Sequence, residues 1–276
     1  MTDRYAVIGN PVAHSKSPQI HAMFAEQTGQ DMSYEKLLAP IDGFVDTVET
    51  FVSDGGCGAN VTLPFKLEAY DLANQISEFA RHARAANTLS FSGKEIHADN
   101  TDGAGLIRDI KLNLDFDPAG KRVLLMGAGG AARGILLPLL EARPAILIIA
   151  NRTVDKALRL AQSNQSQPDA SQTVLSGHGY HDLSGQHFDL VINATSSSLS
   201  DALPPLPDGV FAPDSLAYDI MYGKGLTSFL AFAEEQNAHR LADGLGMLVE
   251  QAALSFHIWR GVRPDTRSVI SALRQE

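Results

Sequence analysis

One cysteine, Cys57, stands in 276 residues, which excludes an internal disulfide framework and any zinc site built from several cysteines. Its default reading is a small buried residue, and such scarcity suits a reducing compartment. Basic charge is also in short supply: 22 Lys plus Arg face 32 Asp plus Glu, for a formal net charge of −10. That balance argues against general attraction to nucleic acid or to an anionic membrane surface. Long apolar runs are missing. The run at 145–150 is strand-sized, far short of the roughly 20 residues that cross a bilayer. The first nine residues lead directly into a strand-like segment without the apolar core and small-residue cleavage site of a signal peptide, so a cytoplasmic protein is expected. The nine histidines show neither H-E-x-x-H nor Cys-paired spacing, so no metal is expected.

What is present is ordinary for a folded chain: 44% hydrophobic and 20% charged residues, enough for a sizeable core. The length favours two domains. Short apolar runs at 5–9, 58–61, 123–126, 145–150 and 190–193 alternate with helical periodicity at 20–27, 65–73, 131–141 and 154–161. That alternation is the mark of βα units and parallel sheets. Gly9 and Gly127 each close a strand-like run, suggesting two sheets in succession, with a boundary expected between Asp102 and Asp117. The polar stretch 162–171 and the proline-rich stretch 203–209 read as loops.

Val123-Leu124-Leu125-Met126 runs into Gly127-Ala128-Gly129-Gly130-Ala131-Ala132 and then a helical pattern. This is the G-x-G-x-x-A dinucleotide fingerprint in its strand-turn-helix setting. Gly127 permits the tight turn, Gly129 lets backbone approach a pyrophosphate, and Ala132 allows close packing of helix on strand. The helix N-terminus offers free N–H groups to phosphate. The following strand ends in Asn151-Arg152-Thr153, where an NAD site usually has a carboxylate for the ribose hydroxyls. Asn151 leaves a 2′-phosphate unopposed. Arg152 can fork onto that phosphate or stack on adenine, Thr153 can donate a hydroxyl, and Lys156 lies one turn on. The bland alternative is a Thr153 helix cap beside a solvated Arg152. NADP is the expected cofactor.

Four polar motifs precede the fingerprint. In residues 9–18, Ser17 before Pro18 reads as N-cap then first helical residue, while Ser15 and Ser17 together can hold an anionic group at a helix N-terminus. In residues 60–66, Lys66 falls in the first turn of a proline-started helix, where the helix dipole disfavours a cation unless something compensates. Residues 86–89 and 99–103 present Asn87 and Asp102, and in the second of these segments Asp and Asn read most simply as caps of a helix beginning near Gly103. Together the four motifs fall at strand ends, where open α/β sheets bind ligands.

Gly-Asn-Pro-Val-x-His-Ser-x-Ser-Pro, Asn-Val-Thr-x-Pro-x-Lys, Ala-x-Asn-Thr-Leu, Asn-Thr-Asp-Gly, Gly-Ala-Gly-Gly-Ala, Asn-Arg-Thr, Asn-Ala-Thr-Ser and Asp-Gly-Leu-Gly-Met-Leu-Val-x-Gln-Ala occur in that order over nearly the whole chain. In these eight motifs the sequence resembles the shikimate dehydrogenases. One departure is Gly223-Lys224, where many members carry a proline-containing turn. The resemblance implies an N-terminal α/β substrate domain (1–102 with 239–276) and a doubly wound, Rossmann-like NADP domain (103–238), with C-terminal helices returning to the first domain. It implies reversible NADPH-dependent reduction of 3-dehydroshikimate to shikimate, on the route to aromatic amino acids. Ser15 and Ser17 would hold the anionic end of the substrate, and Thr62, Asn87, Asp102 and Gln251 its hydroxyls, with Tyr222 facing it. Lys66 would be the acid/base, paired with Asp102. Gly127, Ala128, Gly129, Gly130, Ala131, Asn151, Arg152, Thr153 and Lys156 would hold NADP, with Ile220 and Gly244 near the nicotinamide. Alternatives are a quinate-preferring or NAD-using enzyme, and a non-catalytic NADP-binding regulatory module. Monomer and homodimer are both open.

Overall fold

The computed structural model describes residues 2–165, 172–195 and 205–275. It divides into two compact units, Met1–Gly105 with Leu248–Glu276, and Leu106–Met247.

The first unit is built on a six-stranded sheet of β1 (Asp3–Gly9), β2 (Met32–Leu38), β3 (Gly56–Val61), β4 (Gln75–Ile76), β5 (Thr88–Ser92) and β6 (Glu95–Asp99), ordered β2-β1-β3-β5-β6-β4. β1 runs parallel to β2 and β3, whereas β5 is antiparallel to both β3 and β6. The reversal comes from a two-residue turn at Gly93-Lys94, where Gly93 has φ +60°, a conformation glycine adopts without side-chain penalty. Helix α1 (Ser17–Thr28) buries Ile20 and Phe24, and α2 (Phe44–Ser53) buries Phe44, Val48 and Phe51 at helical spacing. Phe44, Val48, Ile8, Phe65 and Leu89 share one core. At about 1.5–3 kcal/mol for each large apolar side chain removed from water, this core is what holds the strand ends rigid. Cys57, on β3, is only partly buried, because its thiol lies toward Asp3 and the Gly55 carbonyl at the strand's outer end. Helices α3 (Lys66–Leu72), α4 (Glu78–Ala83) and α10 (Thr266–Arg274) complete the unit, with Arg260 paired to Asp3 and Gln30 across its surface.

The second unit carries β7 (Arg122–Met126), α6 (Gly130–Glu141), β8 (Ile146–Ala150), α7 (Val154–Gln162), β9 (Val174–His178), β10 (Phe188–Asn193), β11 (Phe211–Asp219), α8 (Ser228–Glu235) and β12 (Arg240–Ala242). All its strands are parallel, in the order β12-β11-β10-β7-β8-β9. Side chains alternate between faces: Val123 and Leu125 enter one core, Leu124 and Met126 the other. After Arg122 at its start, the central strand β7 is therefore apolar from Val123 to Met126, as a sheet covered on both faces requires. Strand order reverses between β7 and β10, the doubly wound arrangement whose switch point binds nucleotides in open α/β sheets.

Two segments, α5 (Asp102–Arg108) and α9 (Leu245–Arg260), run across the division between the units. The expected strands and helices are found within a few residues of their predicted ends. The return of the chain differs: β12 pairs with β11, so residues 239–247 stay with the second unit, and the first resumes at Leu248. Of the two expected loops, residues 166–171 and 203–204 lie outside the described residues.

Candidate functional site

In the first unit the polar motifs converge on one edge of the sheet. The C-terminal ends of β1, β3 and β6 meet there. β5 arrives by its N-terminal end, because it is antiparallel to its neighbours and Asn60 lies opposite Thr88, which lies opposite Asp99. The sequence places the Asn87 motif at a carboxyl end, and the hairpin β5–β6 is the reason it is not there.

Lys66 is the first residue of α3, the position a helix dipole makes unfavourable for a cation. The compensation is Asp102, whose Oδ2 accepts a hydrogen bond from Lys66 Nζ at 2.6 Å, with the two side chains 29% and 16% exposed. The pair is thus half-buried and still reachable. Phe65, fully buried just before it, anchors the start of α3. Asp102 does not cap α5: it is that helix's first residue, and its carboxylate is turned to Lys66 and Asn87.

Asn87 is the hub. Its Nδ2 lies 2.8 Å from Asp102 Oδ1, 2.9 Å from Thr101 Oγ1 and 3.1 Å from Gln251 Oε1. Its Oδ1 accepts from the Thr101 backbone N–H at 2.9 Å and the Thr88 hydroxyl at 2.8 Å. These partners settle the amide orientation, since a flipped side chain would set an oxygen against the Asp102 carboxylate. Gln251, on α9, donates to the Leu248 carbonyl at 2.8 Å.

Beneath the hub lies a layer of buried polar groups that motif reading does not single out. Asn60 donates to Ser255 Oγ at 2.9 Å and to the Asn87 carbonyl at 3.1 Å, and accepts from the Tyr34 hydroxyl at 2.7 Å. Burial pushes the Tyr34 phenol well above its ordinary range, opposed by a hydrogen bond with Ser17. Asn60 and Thr88 stand inside the recognised motifs. Tyr34 and Ser255 sit on β2 and α9, with no local signal to mark them.

Ser15 Oγ donates to Ser17 Oγ at 3.1 Å and accepts from the Ser17 N–H at 3.2 Å. The cap expected at Ser17 is not formed: Lys16 occupies the N-cap position without a side-chain cap bond, and Ser17 is already helical. The two serine hydroxyls bond each other instead, and Ser17 also meets Tyr34. Thr62 follows β3 directly, with its backbone N–H on the Ile8 carbonyl at 2.9 Å.

In the second unit the fingerprint turn has the backbone that its glycines require. Gly127 has φ +106°, and a Cβ there would stand 2.9 Å from the Ala194 carbonyl oxygen. At Gly129 and Gly130, among the described residues, no heavy atom beyond the neighbouring residues and the helix's own backbone lies within 4 Å of where a Cβ would be. The start of α6 is therefore open to a phosphate, and the residues fit a dinucleotide. Asn151 Nδ2 donates to the Thr153 carbonyl at 2.9 Å. Thr153 is the N-cap of α7, yet its hydroxyl makes no cap bond. Arg152 and Lys156 are exposed. Burial raises the Tyr180 phenol to about 12, opposed by the positive charge of Arg152. Ile220 and Gly244 are brought together: a side chain at Gly244 would run into the Ile220 carbonyl, and the Gly244 N–H donates to Met221 O at 3.0 Å. Tyr222 lies on the loop after β11 and is 36% exposed. Among the described residues no cluster of three or more His, Cys, Asp or Glu could hold a metal ion, and no helix is long and apolar enough to cross a membrane.

Three family models match in chain order: the shikimate dehydrogenase substrate binding domain over residues 7–89, shikimate / quinate 5-dehydrogenase over 111–200, and the shikimate 5′-dehydrogenase C-terminal domain over 244–274. The shikimate dehydrogenase (NADP(+)) of Nitrosospira multiformis is 63% identical over 274 residues, which is 99% of this chain and 98% of that protein. Among solved structures, an Ael1 enzyme from Pseudomonas putida matches with a TM-score of 0.92 at 53% identity, covering 99% of this chain and 98% of its own. Shikimate 5-dehydrogenase from Thermus thermophilus, in complex with NADP(H) and shikimate, matches with a TM-score of 0.84 at 31% identity over 99% of each chain. Because an identity of 63% to a shikimate dehydrogenase extends over 99% of the chain, the protein belongs to the shikimate dehydrogenase family.

Proposed function

We propose that this protein is an NADP-dependent shikimate dehydrogenase, acting in the cytoplasm, that reversibly reduces the ketone of 3-dehydroshikimate to the hydroxyl of shikimate on the route to aromatic amino acids. The observation that carries the reading is the half-buried Lys66–Asp102 pair at 2.6 Å, tied through Asn87 to Gln251, in a chain 63% identical to a shikimate dehydrogenase.

Residues 1–105 with 248–276 bind the substrate in this reading, and residues 106–247 bind the cofactor. Ser15 and Ser17, at the N-terminus of α1, hold the carboxylate, where two hydroxyls and the helix dipole all favour an anion. Thr62, Asn87, Asp102 and Gln251 receive the ring hydroxyls, and Tyr222 faces the substrate. Lys66 Nζ gives a proton to the carbonyl oxygen in reduction and takes it back in oxidation. Asp102 aims the ammonium and accepts from the neighbouring hydroxyl.

When bound, NADP supplies the hydride acceptor, and NADPH the donor. The residues that would hold it are Gly127, Ala128, Gly129, Gly130 and Ala131 at the phosphates, Asn151, Arg152, Thr153 and Lys156 at the 2′-phosphate and adenine, and Ile220 with Gly244 at the nicotinamide. Loss of NADPH absorbance on mixing the protein with 3-dehydroshikimate tests the proposal. Sustained consumption of NADPH, with NADH much poorer, is expected. No turnover with either cofactor would overturn it.

A further inference from the structure

Asp219 is a fully buried carboxylate at the end of β11 that the mechanism above does not use. Its Oδ1 accepts from the Met221 N–H at 3.0 Å and its Oδ2 from the Thr227 hydroxyl at 2.6 Å. Between these two contacts lies the loop 220–226, whose residues 223–226 are exposed. Thr227 is shared: its Oγ also accepts from Leu230 N–H at 3.2 Å as the N-cap of α8. The peptide that the carboxylate holds is pinned elsewhere too. Ile220 N–H donates to Asn193 O at 3.1 Å, and Met221 O accepts from Gly244 N–H at 3.0 Å. Ile220 and Gly244 therefore meet as backbone against backbone, and the charge that holds the adjoining peptide is that of Asp219.

A buried carboxylate is costly unless its lone pairs are filled, so an apolar residue here would be the cheaper way to close a loop. A short, charge-assisted contact gives something else, a fixed geometry. We propose that Asp219 is a positioning residue which, through Thr227 and the Met221 N–H, fixes the Ile220–Gly244 junction as the surface on which the nicotinamide ring is seated. This rests on the assignment of Ile220 and Gly244 to the nicotinamide in the proposed function.

The two ends of the cofactor can be tested separately. NADP+ carries the nicotinamide, whereas adenosine 2′,5′-bisphosphate carries only the adenine and 2′-phosphate. Calorimetric titration of the full-length protein with each probe is compared for the wild type, Thr227→Val, which loses the hydroxyl, and Thr227→Ser, which keeps it. Thr227→Gly, which also lacks the hydroxyl and is a residue tolerated at an N-cap, stands in should the valine variant fail to fold. The expected result is that Thr227→Val weakens NADP+ about three- to tenfold and leaves the bisphosphate within about twofold, with Thr227→Ser equal to wild type. kcat should fall about ten- to a hundredfold in the valine variant, the size of loss that a reacting atom misplaced by about 1 Å produces. Equal weakening of both probes would mean general damage, and no weakening of either would mean that the clamp does not reach the nicotinamide; each overturns the proposal. A wild-type protein that binds NADP+ but does not oxidise shikimate would instead overturn the proposed function, while the comparison of the two probes would still decide the role of Asp219.

Discussion

Lys66 is conspicuous in the sequence because a cation in a first helical turn is electrostatically misplaced, and Asp102, 36 residues away, is what compensates it. Lys66→Ala should lower kcat by about 10² or more while KM for shikimate stays within several-fold, because proton transfer is lost and most binding contacts remain. If the pair acts as a unit, adding Asp102→Asn should cost little more than the worse single variant. Steady-state kinetics of the two singles and the double decide this, and fully additive losses would mean independent roles. At the other ligand, Arg152 is exposed and no carboxylate replaces Asn151, so a 2′-phosphate would meet a guanidinium unopposed. Charge-assisted contacts of this kind are worth about 1.5–3 kcal/mol, which makes a rise of about ten- to a hundredfold in KM for NADP the expected effect of Arg152→Ala, with little change for NAD. Equal losses for the two cofactors would show that Arg152 stacks on adenine. Residues such as these are legible because their type conflicts with their local setting. Tyr34 and Ser255 are not, since a tyrosine on a half-buried strand and a serine within a helix break no local rule. Their partners Asn60 and Thr88 lie 26 and 167 residues away, respectively.

Elements are readable wherever one period dominates. The βα alternation from 122 to 193 is almost fully recovered, because strands covered on both faces must be uniformly apolar. The hairpin β5–β6 leaves little trace in the sequence. Its strands are short and partly exposed, and only Gly93-Lys94 announces the reversal. That reversal matters, since it brings Thr88 and Asp99 to the same edge as Asn60. The start of α1 also departs from its sequence reading. Lys16 at the N-cap position makes no cap bond, and the acceptor that meets the first helical N–H is Ser15 Oγ, so the Ser17 hydroxyl supplies none of the capping contribution of about 1 kcal/mol. Ser17→Ala is therefore expected to raise KM for shikimate and leave the melting temperature of the free protein within about 2 °C. Thermal melts beside kinetics check both halves, and a fall in melting temperature with constant KM would return Ser17 to a purely structural role.

At the scale of the molecule, a residue without catalytic duty is expected to limit acid tolerance. His21 is fully buried, stacked on Tyr34 with ring centroids 4.2 Å apart, met edge-on by Phe24 and flanked by Phe256 and Trp259. Burial lowers its pKa from 6.5 to about 3, opposed by the neighbouring Asn60 side chain, although neither ring nitrogen has a well-formed hydrogen bond. The unfolded chain thus binds this proton in a range where the native state refuses it. The stability that His21 contributes is fully present above about pH 6.5 and falls by about 1.4 kcal/mol for each unit below that, until the native state also protonates near pH 3. Urea unfolding at pH 6.5, 5.5 and 4.5 should give a slope one proton shallower in His21→Phe than in the wild type; identical slopes would assign acid sensitivity to the carboxylates alone. The same unit has a further property, which follows from its assembly out of two distant stretches, Met1–Gly105 and Leu248–Glu276. A ribosome delivers residues in order, at about 5–20 per second. The intervening stretch, continuous from Leu106 to Met247, can close its core as soon as it emerges. The half made first must wait with Asn60, Asn87 and Trp259's docking site at Leu89 unfilled until α9 is translated, so on the growing chain the unit begun first is finished last.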